Sequence, residues 1–357
     1  MALVKLDVFG VRNIQSASIT LSPQINLITG ANASGKSSLL EAIFILGRAR
    51  SFRTTHIKQV IAFDQPQLIV SAQNRFNNGS ISHIGIQIDN KNCEIRIDQE
   101  SKHKADLAYA LPIQLIHPKS YRLIDGAPQL RREFLDWGIF NQSPRFLTDW
   151  RKFNKALQQR NALLKTRQTS QIPAWDKELL EYGPLLNQSR ICYLELLQAV
   201  FVEIAAYFLD ETDIQLRFNS GWDDSKDYSQ ILQTELDKDL RFGFTHSGPH
   251  RADLQLLLNN KPAKDYLSRG QQKLLVLALL LAQVKLLNLT TQNACCILID
   301  DLSAELDTLN RLKLLKYLSL LDCQVLLTAT ELNGFGDLSS LPQYKVFHVE
   351  HGRVSEL

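Results

Sequence analysis

Ile25-Asn26-Leu27-Ile28-Thr29-Gly30-Ala31-Asn32-Ala33-Ser34-Gly35-Lys36-Ser37-Ser38 decides the reading of this chain. An apolar run of strand length enters a Gly-rich turn, and a helix-favouring stretch begins at about Lys36. Residues 30–37 fit G-x-x-x-x-G-K-[ST] in the strand–turn–helix context that gives the motif its meaning. Glycines let successive backbone N–H groups turn inward, and the following helix adds the positive end of its dipole, so the turn is a phosphate cradle. Gly30, Ala31, Asn32, Ala33, Ser34 and Gly35 are its expected backbone donors. Lys36 is expected to reach the β- and γ-phosphates of ATP, and the Ser37 hydroxyl to ligate Mg²⁺, with Ser38 as its neighbour.

Working outward, Cys295-Cys296-Ile297-Leu298-Ile299-Asp300-Asp301 is an apolar strand ending in two carboxylates. Mg²⁺ is held by one or two carboxylates besides phosphate oxygens, so Asp300 is the expected metal ligand. Asp301 is the expected catalytic base, positioning the attacking water, with Lys36 as the second catalytic residue. Leu267-Ser268-Arg269-Gly270-Gln271 opens a long apolar helix from about residue 270. A hydroxyl and free N–H groups at a helix start suit an anion, while an N-cap for a core helix is the simpler reading of Ser268.

These segments, in this order, resemble those of ATP-binding-cassette ATPases. In that resemblance Leu267-Ser268-Arg269-Gly270-Gln271 is the signature, whose Ser268 and Gly270 hold the γ-phosphate bound to a second copy, and Ser303-Ala304-Glu305-Leu306-Asp307 is the D-loop, placing Asp307 at the dimer interface. Two departures stand out: Asp301 occupies a position where cassette ATPases usually have Glu, and Leu327-Thr328-Ala329-Thr330 carries no switch His. Both imply slow hydrolysis.

The fold expected is α/β: a cassette-type P-loop ATPase head with an antiparallel β subdomain and an inserted helical lobe. Strands are predicted at 2–9, 16–21 and 24–29, and a meander over 68–98, broken by Asn77-Asn78-Gly79 and Asp89-Asn90-Lys91-Asn92. From about 119 to 210 the spacing turns helical, with breaks at Pro128, Pro144, Pro173 and Pro184. Strands follow at 213–218, 253–258, 295–300 and 323–329. The expected division is residues 1–118 and 236–357 for the two parts of the ATPase lobe and 119–235 for the insertion.

The insertion is too short for the coiled-coil arms of SMC proteins, and it begins too far ahead of the signature for a transporter subunit. Instead the chain resembles the RecF family nearly end to end. The resemblance rests on Phe9-Gly10-Val11-Arg12-Asn13, the P-loop, Arg131-Arg132-Glu133-Phe134-Leu135-Asp136-Trp137, Thr245-His246-Ser247-Gly248-Pro249-His250-Arg251-Ala252-Asp253, the signature and Ile299-Asp300-Asp301-Leu302 with the D-loop. It implies ATP and Mg²⁺ binding, an ATP-dependent homodimer, and binding to single- and double-stranded DNA, especially at gap junctions. It also implies work with RecR and RecO to direct RecA loading in repair, replication restart and SOS induction. Arg12 and Asn13 join the nucleotide-binding set through this resemblance.

Composition constrains the rest. The 357 residues carry 40 Lys+Arg against 37 Asp+Glu, so a DNA surface must be local. One candidate is the run with Arg145, Arg151, Lys152, Lys155, Arg160, Lys165 and Arg167 and the single acid Asp149, a face suited to backbone phosphates. The five cysteines lack C-x-x-C spacing and are expected to be reduced core residues. Met1–Gly10 alternates like a strand and not like a signal peptide, and Leu274–Ala282 is too short to span a bilayer, which leads to an expectation of a cytoplasmic protein with no membrane contact. His246 and His250 lack further His or Cys to complete a zinc set, and the Gly248-Pro249 turn is expected to buttress the catalytic end of the sheet.

Overall fold

The computed structural model describes all residues except 1, 77, 210, 212, 292–294, 302–305, 340 and 342. It is an α/β protein whose chain forms two compact units, residues 1–120 with 287–357, and residues 121–286.

The first unit holds two sheets. One is antiparallel, in the order Ile14–Thr20, Ala2–Val11, Gln67–Arg75, Ile81–Asp89, Cys93–Ile97, Glu100–Ser101. It contains the predicted meander together with the first two strands. The other runs Arg353–Glu356, Tyr344–Glu350, Ile25–Thr29, Gln324–Thr328, Cys296–Ile299, Ile113–Ile116, and all its neighbours are parallel except the Arg353–Glu356 edge. Its central strands are apolar on both faces, as a covered parallel sheet requires: every residue of Ile25–Thr29 and Gln324–Thr328 is buried. The helix Lys36–Arg48 is buried on nearly every side, which its sequence permits because Leu39, Leu40, Ile43, Phe44, Ile45 and Leu46 surround its axis. Those residues share one core with Leu6, Val8, Val70 and Ile86 of the antiparallel sheet and Ile28, Leu298, Leu326 and Phe347 of the parallel one.

The second unit is mainly helical: Pro128–Gln142, Pro144–Thr166 and Ile172–Phe208 are its long insertion helices, and most of Arg269–Thr290 belongs to it. Pro128, Pro144 and Pro173 stand in first turns, where a missing N–H costs nothing. Pro184 does not break its helix. It lies within Ile172–Phe208 on an exposed face, and Leu180, whose carbonyl loses its helical donor, is only half-buried. Leu274–Ala282 is buried throughout, as expected for a core helix.

The inserted lobe is larger than the sequence suggested, and it is not purely helical. The second unit extends to residue 286 instead of 235, and contains a three-stranded antiparallel sheet, Lys261–Pro262, Asp253–Leu258, Ile214–Asn219. The reason lies in the side chains: Asp239, Thr245 and Asp253 are bound by Arg160 and Arg131 of the inserted helices, which draws residues 236–286 into that unit. Cysteine burial also departs from expectation. Cys295, Cys296 and Cys323 are buried, but Cys93 and Cys192 are exposed; all five are free.

Candidate nucleotide site

In the parallel sheet the carboxyl ends of Ile25–Thr29, Gln324–Thr328 and Cys296–Ile299 fall on one edge, where α/β proteins bind ligands. The chain leaves those ends as Gly30, Ala329 and Asp300, so the P-loop and the paired carboxylates meet there. Gly30 and Gly35 are obligatory. Both have positive φ, and a Cβ on Gly30 would lie 2.2 Å from the Val349 carbonyl oxygen, while one on Gly35 would press on Asn13. Ala33 also has φ of 64°.

Two elements hold the loop from behind. The Ser34 carbonyl accepts from Asn13 Nδ2 (2.9 Å) and from the Gly352 N–H (2.8 Å), and Ser38 Oγ donates to Asn13 Oδ1 (2.9 Å). Asn13 thus braces the cradle and also lines the cleft beside it. Gly352 belongs to the turn between Tyr344–Glu350 and Arg353–Glu356, strands absent from the sequence reading although residues 344–356 alternate around a Gly. Ser38 acts as a brace for the same reason.

Arg12 is not a free charge. Its guanidinium donates to both oxygens of Glu41 (2.9 Å each) and to the Gln59 carbonyl (3.0 Å). Glu41 is fully buried within the Lys36–Arg48 helix and also receives Ser51 Oγ and, at 3.6 Å, Arg53. A buried carboxylate needs such partners. The charge inside Leu39-Leu40-Glu41-Ala42-Ile43 was the signal that could have revealed it. Arg12 and Arg53 stand at the rim of a cleft of about 620 Å³ beside Gly35, Lys36 and Ser37, a size suited to a small ligand.

At the heart of the site, Ser37 Oγ donates to Asp300 Oδ1 at 2.9 Å. Thr328, noted in the sequence only as a missing His, binds both carboxylate residues: its hydroxyl donates to Asp300 Oδ1 (2.9 Å) and accepts the Asp301 N–H (2.8 Å). Asp301 has φ of 55°, a conformation that Asp tolerates better than most residues. Lys36 Nζ donates to the Gly30 and Ala31 carbonyls at 2.7 and 2.8 Å. Burial lowers its pKa, opposed by the charges of Asp301 and Asp300, so all three groups share one electrostatic site. A hydroxyl and a carboxylate converging beside a phosphate cradle are hard oxygen donors of the kind Mg²⁺ takes, and Ser37 and Asp300 would hold it.

The other expected residues are distributed as follows. Ser268 caps the Arg269–Thr290 helix in a capping box: its hydroxyl accepts from Gln271 N–H (3.3 Å) while Gln271 Oε1 accepts from Ser268 N–H (3.0 Å). A Cβ on Gly270 would meet nothing closer than Ser268 Oγ at 4.0 Å, so packing within the chain does not demand glycine there. Asp307 caps the helix Thr308–Leu320 through Asn310 N–H, and that bond, before all else, lowers its pKa. Leu302 and the D-loop residues Ser303, Ala304 and Glu305 lie outside the described residues.

The remaining motif segments make structure. Arg131 donates to both oxygens of Asp253 (2.7 and 3.0 Å), Arg132 to the Ala252 carbonyl, and Arg190 to both oxygens of Asp136 and the Pro249 carbonyl. The Gly248-Pro249 turn is therefore tied to the second unit's own helices. His250 Nε2 pairs with the Thr245 carbonyl and His246 Nδ1 with Asp239. Arg160 must be removed from the basic face: it is fully buried, bound at 2.6 Å to both Asp176 and Asp239. Arg145, Arg151, Lys152, Lys155, Lys165 and Arg167 are exposed.

A family model described as the RecF/RecN/SMC N terminal domain matches residues 2–355. The DNA replication and repair protein RecF of Pseudomonas syringae pv. tomato is 41% identical over 362 residues, covering 100% of this chain and 98% of that protein. RecF of Pseudomonas aeruginosa is 42% identical over 363 residues with the same coverage. Among solved structures, that of the recombination mediator protein RecF-ATP in the RecFOR pathway is similar with a TM-score of 0.88 at 27% identity, covering 100% of this chain and 97% of that one. An SMC head bound to the C-winged helix domain of ScpA shares the fold alone, with a TM-score of 0.61 at 14% identity. By the family model and by identity along its whole length, the chain belongs to the RecF family.

Proposed function

We propose that this chain is an ATP-dependent, DNA-binding recombination mediator that uses slow ATP hydrolysis as a switch. The observation that carries the reading is the meeting of Lys36, Ser37, Asp300, Asp301 and Thr328 at one strand-end edge. The P-loop backbone binds the phosphates, Lys36 compensates their charge, and Asp301 orients the attacking water. Mg²⁺, held by Ser37 and Asp300, would supply further charge compensation at the phosphates. Asp301 is one methylene shorter than the usual Glu, and Thr328 spends its hydroxyl on Asp300, which together favour slow turnover.

ATP would join two copies, with Ser268 and Gly270 of one copy and Asp307 near the nucleotide of the other. The open space at Gly270 supports this role, since among the described residues a Cβ there would meet only Ser268 Oγ, at 4.0 Å. The dimer would clamp DNA, single- and double-stranded and especially at gap junctions, through exposed cations such as Arg151, Lys155 and Lys165. The names of the relatives, which include DNA replication and repair and the RecFOR pathway, support action with RecO and RecR to promote RecA loading in the cytoplasm, for repair, replication restart and SOS induction.

Titration of gapped duplex with and without ATP, at two salt concentrations, tests the clamp. ATP should tighten binding and salt should weaken it, with little dependence on sequence. Binding indifferent to both would contradict the reading.

A further inference from the structure

The second unit carries a group of rings that the nucleotide chemistry does not use. The helix Leu236–Phe242 ends on Gly243, whose φ of 75° turns the chain sharply. That turn brings three alternate residues together: the ring centroids of Phe242 and His246 are 5.2 Å apart, those of Phe244 and His246 4.2 Å, and those of Phe242 and Phe244 6.3 Å. Two guanidinium groups join them, Arg251 5.1 Å from the Phe244 ring centre and Arg241 5.6 Å from that of Phe242. Phe242 is 56% exposed, so the group is open to solvent. Arg241, Arg251 and Lys165 are exposed too, and Lys165 packs beside Gly243, bringing the end of the basic helix Pro144–Thr166 to the rings.

The group is also anchored. His246 Nδ1 is 2.7 Å from Asp239, whose other oxygen takes the fully buried Arg160 at 2.6 Å. Asp239 is itself buried, so its charge is turned inward, while Arg241, Arg251 and Lys165 remain exposed beside the rings, with Asp237 the exposed acid on the same helix. A single exposed Phe needs no explanation, but a cluster in which Phe242 stands edge-on to His246 and Phe244 lies 31° from it, flanked by arginines and fixed from beneath, forms a prepared surface. The pairing of flat apolar faces with cations matches unpaired bases and their phosphates. Continuous duplex hides its base faces, and an apolar protein segment would not call for three cations.

We propose that Phe242, Phe244 and His246 form a stacking platform for one or two unpaired bases of a DNA strand, with Arg241, Arg251 and Lys165 on the flanking phosphates. This rests on the DNA-binding reading above and adds a site that tells unpaired from paired DNA.

The test uses the full chain and fluorescence anisotropy with three probes: a thymidine oligonucleotide, the same length carrying abasic sites at its centre, and a continuous duplex. Wild type should prefer the base-bearing strand to the abasic one by about five-fold or more. Phe242→Ala should cut that preference below about two-fold, leave duplex affinity within about two-fold, and be rescued by Phe242→Trp. Equal binding of wild type to both strands, or equal weakening of strand and duplex by Phe242→Ala, overturns the platform while leaving the DNA reading standing. Failure of wild type to bind any of the three probes overturns both.

Discussion

Around Asp300, charged and hydroxyl groups meet beside an open cleft, with Lys36 donating to two backbone carbonyls and Ser37 and Thr328 sharing one carboxylate oxygen. In the second unit, Arg131, Arg160 and Arg190 are each closed onto carboxylates, with two bidentate pairs and one arginine between two acids. The first region comes mostly from segments that mark the family, and the second draws Arg131, Asp136 and Asp253 from them, but the two serve different ends. The first keeps its polar groups where a phosphate can reach them; the second consumes its own in holding elements together. A motif therefore signals chemistry only when its groups remain available.

That contrast predicts that changes in the second unit are read in stability and changes in the first in ligand binding. The largest effect is expected for Arg160→Leu, which takes the guanidinium from Asp176 and from Asp239, 1% exposed and left with His246 alone. Thermal or urea unfolding should show a loss of about 3–5 kcal/mol. A loss under about 1 kcal/mol would mean that the network is not what holds this unit.

Acid should act on the same network. Burial pushes the His250 imidazole down to about 4, against 6.5 for an unperturbed group. The unfolded chain then binds the proton first, so this stability is fully present above about pH 6.5 and is lost as pH falls toward 4. The loss should reach roughly 2–3 kcal/mol, and His250→Gln should flatten that part of the pH–stability curve. His117 in the first unit is pushed down to about 4 as well, chiefly by burial, so the variant isolates the second unit's share.

For Lys36→Ala the expected result is the reverse: ATP affinity by equilibrium dialysis down by about ten- to a hundred-fold, with an almost unchanged melting curve. A collapse in stability would place Lys36 with the structural arginines. The smallest change belongs to Ser268→Ala, which removes a cap worth about 1 kcal/mol. ATP-dependent dimerisation measured by sedimentation should nonetheless be lost at nearly unchanged folding; its survival would mean that Ser268 serves only its own helix.

How much was legible follows the same division. Gly30–Ser37 could be read because close backbone approach fixes residue types at fixed spacing, as Gly30 against the Val349 carbonyl illustrates. Asp300 could be read because a buried strand ends on it. Thr328 could not, because its role depends on a neighbouring strand that only the sheet order brings alongside. Arg160 does not belong to the basic face suited to backbone phosphates, and it sits four residues from both Ala156 and Leu164, the apolar side of its helix. Its partners Asp176 and Asp239 come from distant segments, and no local pattern announces them. The strand Ile113–Ile116 was too short to stand out, and Tyr344–Glu350 was overlooked despite its alternation.

Single-turnover ATP hydrolysis by wild type, Lys36→Arg and Asp301→Asn, with and without DNA, tests most directly whether the first unit carries the chemistry. The predicted result is slow hydrolysis by wild type and a fall of about a hundred-fold or more in each variant, with folding intact. Rates unchanged in both variants would contradict the account.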